Sequence, residues 1–366
     1  MTFELDLEGS VTSPLGYSAG AVYAGMKSYG EAKLDLGIVA SDGPCVAAAV
    51  FTKNRLHSAS VDINRDHIAD GRAQAVVVNS GVANSSTGAK GLEDARQVAE
   101  WVGSKLGLGA FDVLVCSTGV IGPYLPMDKM KAGIDAITLS PLSGRDFARA
   151  IMTTDTRPKH ASVKVGPYTL GGCTKGSGMI HPNMATMLAF LTTDAPLDPV
   201  FMRDELRDAV DRSFNVVSVD GDTSPSDTVI LLANGRAGGE TISSGSPLSV
   251  EFGLALRELC TYLAKEIARD GEGASRLIEV NVTGALDYDE ARTVIHTIPT
   301  SYLIKSAIYG ADPNWGRIVS AVGRTGATYD EENVRVSLCG HLVFADRRPT
   351  TFDPAAISRD MKADLV

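Results

Sequence analysis

The sequence predicts a mixed α/β protein. Continuous apolar runs rich in β-branched residues, at 75–79 and 113–116, are typical of buried strands. Between them, apolar residues recur at helical spacing from Leu92 to Leu106, with charged residues interleaved. A chain of 366 residues can hold one large α/β body or two lobes built from such strand–helix–strand units.

The second half of the chain repeats both kinds of element. A glycine-rich loop at 171–178 separates the halves, and a helix is predicted near 200–214. Strands are predicted at 216–219 and 229–232. A long amphipathic helix follows and ends near Asp270, and its apolar face carries Phe252, Leu256, Leu259, Leu263 and Ile267.

Composition excludes several classes of function. The chain has 34 basic and 44 acidic side chains, a net charge of −10, and no basic stripe, which argues against nucleic-acid binding. No apolar run is long enough to span a bilayer, and the acidic start lacks the features of a signal peptide. Five cysteines in no paired spacing favour a reducing, cytoplasmic location. The six histidines show no ligand spacing, so no metal is expected.

The segment 175–188 is the strongest candidate for a functional site. Gly176 and Gly178 precede Thr186, which opens the apolar run 187–191. A threonine hydroxyl is a poor nucleophile without a base. Its own α-amine, with a pKa of about 7.7–8.0, could serve once the bond between Ala185 and Thr186 is cut. On these residues alone, an ordinary threonine at a strand edge remains the simpler interpretation.

Three further positions carry functional and structural interpretations side by side. Thr118 and Gly119 follow a predicted strand, where a hydroxyl and an amide could stabilise an oxyanion, or simply form a turn. Glu272 is flanked by glycines and could bind a cationic amine, although glycine is also common after a helix. Lys175 could bind a carboxylate or be only solvated. The lysine precedes the glycines, which departs from the phosphate-loop pattern.

Taken together, these segments resemble the ornithine acetyltransferase family of arginine biosynthesis, also called bifunctional glutamate N-acetyltransferase. The resemblance covers nearly the whole chain, and it rests on the joint order of its segments. They lie at 41–44, 50–54, 117–122, 152–156, 175–188, 222–224, 270–274 and 310–317.

The resemblance implies a two-lobed α/β enzyme of the self-processing N-terminal nucleophile type. Cleavage between Ala185 and Thr186 would leave an α chain, 1–185, and a β chain, 186–366, paired as α2β2. Thr186 would take the acetyl group from N-acetylornithine and pass it to glutamate in a ping-pong cycle. No cofactor is implied. Some members also accept acetyl-CoA as a donor, so it would enter as a co-substrate.

The resemblance also assigns roles to single residues. Thr118, through its hydroxyl, and Gly119, through its amide, match the oxyanion hole of the family. Thr154, Lys175 and Glu272 match positions that contact substrate, together with Thr186. The charge of Lys175 suits a substrate carboxylate, and that of Glu272 suits the side-chain amine of ornithine.

One departure from the family pattern leaves alternatives open. Family members end with a segment whose asparagine and threonine help to close the substrate site, and 362–366 show no counterpart. The alternatives are a related self-processing amidohydrolase or aminopeptidase, and a truncated, inactive relative. The partners expected in every active case are small molecules, with neither nucleic acid nor membrane.

Overall fold

A computed structural model describes residues 3–27, 33–181 and 187–366. The chain divides into two compact units. Unit 1 comprises Met1–Val217 and Asp222–Asp270, and unit 2 comprises Ser218–Gly221 and Gly271–Val366. The predicted junction between Ala185 and Thr186 lies outside the described residues.

Strands and helices alternate in unit 1. Its described strands are β1 Leu5–Asp6, β2 Tyr17–Val22, β3 Leu36–Phe51, β4 Arg72–Val82, β5 Val113–Val120, β6 Lys159–Val165, β7 Tyr168–Lys175, β8 Leu188–Thr193 and β9 Thr228–Ala233. Its described helices are α1 Ala59–His67, α2 Gly88–Leu106, α3 Met127–Ala136, α4 Gly144–Ala150, α5 Pro199–Asp211 and α6 Ser249–Arg269.

Over the described ranges, the nine strands of unit 1 form one mixed sheet. Its order is β1-β6-β7-β8-β9-β3-β4-β5, with β2 paired to β3. Strand β3 pairs with β4 from Leu36 to Val46, with a register shift between Ala40 and Cys45, and with β9 from Val46 to Phe51. The pairs β4–β5 and β8–β9 are parallel, and the other pairs are antiparallel. The predicted α/β class is confirmed.

The amphipathic helices form as the periodicity predicts. Helix α2 ends at Gly107, which adopts the left-handed conformation with φ of 71° that glycine tolerates best. Helix α6 buries its predicted apolar face, and burial of each large side chain stabilises the fold by about 1.5–3 kcal/mol. The fully buried members of that face include Phe252, Leu256, Leu259 and Leu263.

The strand predicted at 216–219 is wrong. Phe214–Val216 is a 3-10 turn, and the next regular element after it is β9. In the described part of the chain, this run of β-branched residues pairs with no strand. The Val219 carbonyl instead accepts a hydrogen bond from Lys305 Nζ at 2.5 Å. A short apolar run therefore became a connection to the second unit.

Unit 2 combines helices with a small antiparallel sheet. Its described helices are α7 Tyr288–Thr297, α8 Tyr302–Tyr309, α9 Trp315–Gly323 and α10 Pro354–Asp360, and its described strands are β10 Val336–Leu338, β11 His341–Ala345 and β12 Arg348–Pro349. Its core contains Ile304, Ile308, Val343, Ile357 and Met361.

The described residues contain neither a helix suited to span a membrane nor a cluster suited to bind a metal ion. None of the helices there is both long and apolar enough to cross a bilayer. In the same ranges, no cluster of three or more histidine, cysteine, aspartate or glutamate side chains could hold a metal ion.

Candidate active site

The end of β5 carries the predicted oxyanion residues. Thr118 is 3% exposed, and Gly119 follows it with φ of 128°, a conformation that favours glycine. Because β4 and β5 are parallel, Ser80 pairs with Thr118 and Gly81 with Gly119. A Cβ on Gly119 would lie 2.3 Å from the carbonyl carbon of Gly81. The absence of a side chain at Gly119 therefore lets the ends of β4 and β5 approach this closely.

A hydrogen bond joins this strand end to the loop after α4. Ser80 Oγ donates to the carbonyl of Ala150 at 2.5 Å, and both Ser80 and Ala150 are fully buried. Ala150 is the last residue of α4, and 152–155 follow it directly. The segment that contains Thr154 thus begins beside the strand that pairs with Thr118.

Asp155 connects that segment to the end of β7. Its Oδ1 accepts the Gly176 N–H at 2.7 Å, and its Oδ2 accepts the Thr153 N–H at 2.9 Å. Beside it, the hydroxyl groups of Thr154 and Ser177 lie 2.6 Å apart. Two predicted parts of the site, 152–156 and 175–178, are therefore held together by side chains that reach across the fold.

Two buried lysines set the charge of Asp155. Burial alone would raise the pKa of its carboxyl, but the positive charges of Lys175 and Lys159 lower it, as does the Gly176 hydrogen bond. The resulting pKa lies below the ordinary value, so the carboxylate is ionised at neutral pH. Lys175 itself is only 2% exposed and pairs with Leu188 across β7 and β8.

Asp155, Lys159 and Asp270 form a buried ionic cluster next to the loop that carries Thr154. Lys159 Nζ lies 2.6 Å from Asp155 Oδ1 and 2.6 Å from Asp270 Oδ2, and the three side chains are at most 3% exposed. The backbone N–H and hydroxyl of Thr156 also donate to Asp270. Since Asp270 is the residue after α6, the cluster fixes the end of that helix to the loop that carries Thr154.

Lys27 was not predicted from the sequence. It is 6% exposed, and its Nζ donates to the Leu34 carbonyl at 2.8 Å. Burial lowers its pKa to about 8 against the opposing charge of Asp35, and the charges of Asp155 and Lys175 also act on it. A single lysine in a glycine-rich sequence carries no pattern that would have revealed this position.

Asp227 was also missed. It is fully buried, and its Oδ1 accepts the Met187 N–H at 2.9 Å. Burial raises the pKa of its carboxyl well above the ordinary value, although the Met187 N–H, Lys175 and Ser224 act in the opposite direction. Its place two residues before the predicted strand 229–232 was the only signal in the sequence.

The structure thus brings together part of the predicted site. Thr118 and Gly119 are joined to Thr154 and Lys175 through the Ser80–Ala150 and Asp155 contacts. Glu272 is exposed and belongs to unit 2. Ala185 and Thr186 lie outside the described residues, between Lys175 of β7 and Leu188 of β8 in the chain.

Comparison with known proteins gives this arrangement a family. The profile described as the ArgJ family matches residues 18–366. An arginine biosynthesis bifunctional protein ArgJ from Dehalococcoides mccartyi is 48% identical over 335 residues, or 90% of this chain and 83% of that protein. The protein of the same name from Symbiobacterium thermophilum is 46% identical over 362 residues, or 97% and 90%.

A solved structure is also similar. It is the crystal structure of an ornithine acetyltransferase complexed with ornithine, from Mycobacterium tuberculosis, with 40% identity and a TM-score of 0.47. The match covers 50% of this chain and 98% of that one.

The relatives define the class of protein as a biosynthetic enzyme with a mixed α/β fold. More narrowly, the chain belongs to the ArgJ family. The resemblance to the ornithine acetyltransferase family that the sequence predicts is confirmed.

Proposed function

We propose that this chain transfers an acetyl group from N-acetylornithine to glutamate through an acetyl-threonine formed on Thr186. Its family membership makes it an ornithine acetyltransferase, or glutamate N-acetyltransferase. The observation that carries the proposal is a chain of contacts. It runs from Thr118 on β5 through Ser80 and Ala150 to the segment of Thr154, and from Asp155 to Gly176, the residue after Lys175.

The chemistry begins with hydrolysis of the peptide bond between Ala185 and Thr186, in which water supplies the oxygen of the new Ala185 carboxylate and Thr186 gains a free α-amine. The new α-amine of Thr186 then accepts the hydroxyl proton, while the hydroxyl oxygen attacks the acetyl carbonyl carbon. The C–N bond of N-acetylornithine breaks, its nitrogen takes the proton, and ornithine leaves. The α-amine of glutamate next attacks the ester, the C–O bond breaks, and the hydroxyl regains its proton.

Other residues of the site stabilise charge and orient the substrate. The Thr118 hydroxyl and the Gly119 amide donate hydrogen bonds to the oxyanion of each tetrahedral intermediate. Lys175 pairs with the substrate carboxylate, Thr154 contacts the substrate, and Glu272 pairs with the side-chain amine of ornithine. The reaction uses no resident cofactor. Acetyl-CoA would act as a second acetyl donor.

The pairing of β7 with β8 supports a working enzyme after cleavage. Leu170 to Lys175 pair with Thr193 to Leu188, so strands on either side of the cut lie in one sheet. The α chain, 1–185, and the β chain, 186–366, would remain joined by these backbone hydrogen bonds, and we propose that two such pairs assemble as α2β2.

Intact-mass spectrometry and an acetyl-transfer assay test the nucleophile. Wild-type protein should give two fragments, the second beginning at Thr186, and acetyl-threonine should accumulate with N-acetylornithine alone. Thr186→Ala should remain one chain and transfer nothing, while Thr138→Ala, an exposed threonine, should behave as wild type. An uncut wild-type chain, or turnover by Thr186→Ala, would refute the proposal. Transfer to water faster than to glutamate would indicate an amidohydrolase instead.

Thr118→Val tests the oxyanion role. Valine keeps the shape of threonine but removes the hydroxyl donor, so the turnover number should fall by about 10²–10³-fold. The KM for N-acetylornithine should change little, because the hydroxyl acts mainly in the transition state. The matched control is Thr169→Val, a buried threonine at the start of β7. A turnover number within a few-fold of wild type would rule out this role for Thr118.

A further inference from the structure

Two buried aspartates lie at the two ends of β8. Asp227 accepts the Met187 N–H directly before the strand, and Asp194 follows the strand directly. Asp194 accepts the N–H groups of Leu15 at 2.9 Å and Thr169 at 2.8 Å. Both carboxyls therefore accept hydrogen bonds from backbone N–H groups, one at each end of the same strand.

The bond made by Asp227 acts on a particular peptide group. The Met187 N–H belongs to the planar unit that also contains the carbonyl of residue 186. The carbonyl of Met187 accepts a hydrogen bond from Thr228 N–H at 3.2 Å, so Met187 is held on both sides. Because Met187 directly follows Thr186 in the chain, these two hydrogen bonds hold the residue next to the proposed nucleophile.

The Asp227 carboxyl is fully buried, and a hydrogen bond from the Ser224 hydroxyl acts on it. Its Oδ1 accepts the N–H of Met187, the residue that directly follows Thr186 in the chain. A buried carboxyl therefore holds the backbone of the residue next to the proposed nucleophile.

We propose that Asp227 is a positioning residue for Thr186. By holding the Met187 N–H, it orients the 186–187 peptide for chain cleavage and for acetyl transfer. The inference rests on the proposed function, since it takes Thr186 to be the nucleophile.

The test follows the rate of chain cleavage after cell-free synthesis, with the cut identified by mass. Asp227→Ala and Asp227→Leu remove the acceptor, and cleavage should slow about 10–100-fold, because small errors in position have effects of this size. Asp227→Asn keeps an acceptor of the same shape and should cleave within about threefold of wild type. Asp194→Ala is the matched control, and its folded fraction should cleave at the wild-type rate.

Each outcome supports or overturns the inference. Slow cleavage in Asp227→Ala or Asp227→Leu, with rescue in Asp227→Asn, supports it. Wild-type rates in the folded fraction of the variants that lack the acceptor would overturn it. So would an equal slowing in Asp194→Ala, which would indicate a general effect of disturbing β8, or a slow Asp227→Asn. A wild-type chain that is never cut would instead remove the proposed function itself.

Discussion

Asp155 and Asp227 each accept one backbone N–H, that of Gly176 and that of Met187, and their surroundings shift their carboxyl pKa values in opposite directions. Asp155 accepts the Gly176 N–H and lies against Lys159, with a pKa below its ordinary value. Asp227 accepts the Met187 N–H in a fully buried position, with a pKa well above its ordinary value. The upstream carboxyl is therefore stabilised in its charged form by nearby cations, whereas burial disfavours the charged form of the downstream one.

The difference shows what each kind of support requires. A charged carboxylate is stable in the interior only when cations and hydrogen bonds compensate its lost hydration. Lys159 and Lys175 meet this requirement for Asp155. Lys175 also acts on Asp227, but it does not outweigh burial there. Asp155 thus joins several elements through ion pairs and hydrogen bonds, while the described contact of Asp227 with the segment before β8 is a hydrogen bond to the Met187 backbone.

Replacing Lys159 should show how far the Asp155 carboxylate depends on its buried cation. Lys159→Met would leave Asp155 and Asp270 as two buried carboxylates, and the free energy of unfolding should fall by about 3–5 kcal/mol. Urea denaturation gives the value. Lys131→Met, which breaks an exposed pair with Asp135, should cost only about 0.3–0.5 kcal/mol. Equal losses in the two variants would mean that the cluster is not a buried ionic support.

The pH dependence of stability should sharpen the contrast between the two aspartates. Asp155 has a lowered pKa in the folded state, so its contribution is present above the unfolded pKa of about 3.9 and is lost as the pH falls through the folded value. Asp227 has a raised pKa, so stability is lost as the pH rises from the unfolded value towards the folded one.

Urea midpoints between about pH 3 and pH 8 would measure both effects. Each group can change the free energy of unfolding by at most about 1.4 kcal/mol per pH unit. Asp155→Asn should flatten the loss on the acidic side, and Asp227→Asn should remove the decline as the pH rises. If the two variants showed the same profile, the opposite electrostatic settings would be refuted.

Local patterns of the sequence were enough to predict much of the fold. The strands around 75–79 and 113–116 and the apolar face of α6 follow from residue type and spacing. The strand at 216–219 failed because a β-branched run needs a partner strand, and Lys305 takes the Val219 carbonyl instead. Pairing partners are set by distant parts of the chain, which a local pattern does not contain.

The candidate site likewise contains residues that local sequence patterns reveal and residues that they do not. Thr118, Gly119 and Lys175 could be found because they lie at strand ends beside glycines. The Asp155–Lys159–Asp270 cluster could not be found, because it joins residues more than a hundred positions apart. No local pattern marks Asp227, and its burial and its bond to Met187 appear only when β8 and β9 are paired.

The facing glycines at the end of β4 and β5 restrict how this protein can vary. A side chain on Gly119 would collide with the backbone of Gly81, and one on Gly81 would press on the backbone at Met26 and Lys27. A side chain at Gly119 would therefore require the end of β4 to move, whereas one at Gly81 would require the backbone at 26–27 to move. Because both glycines also have positive φ, each position is expected to resist substitution, and a change at one would not compensate for a change at the other.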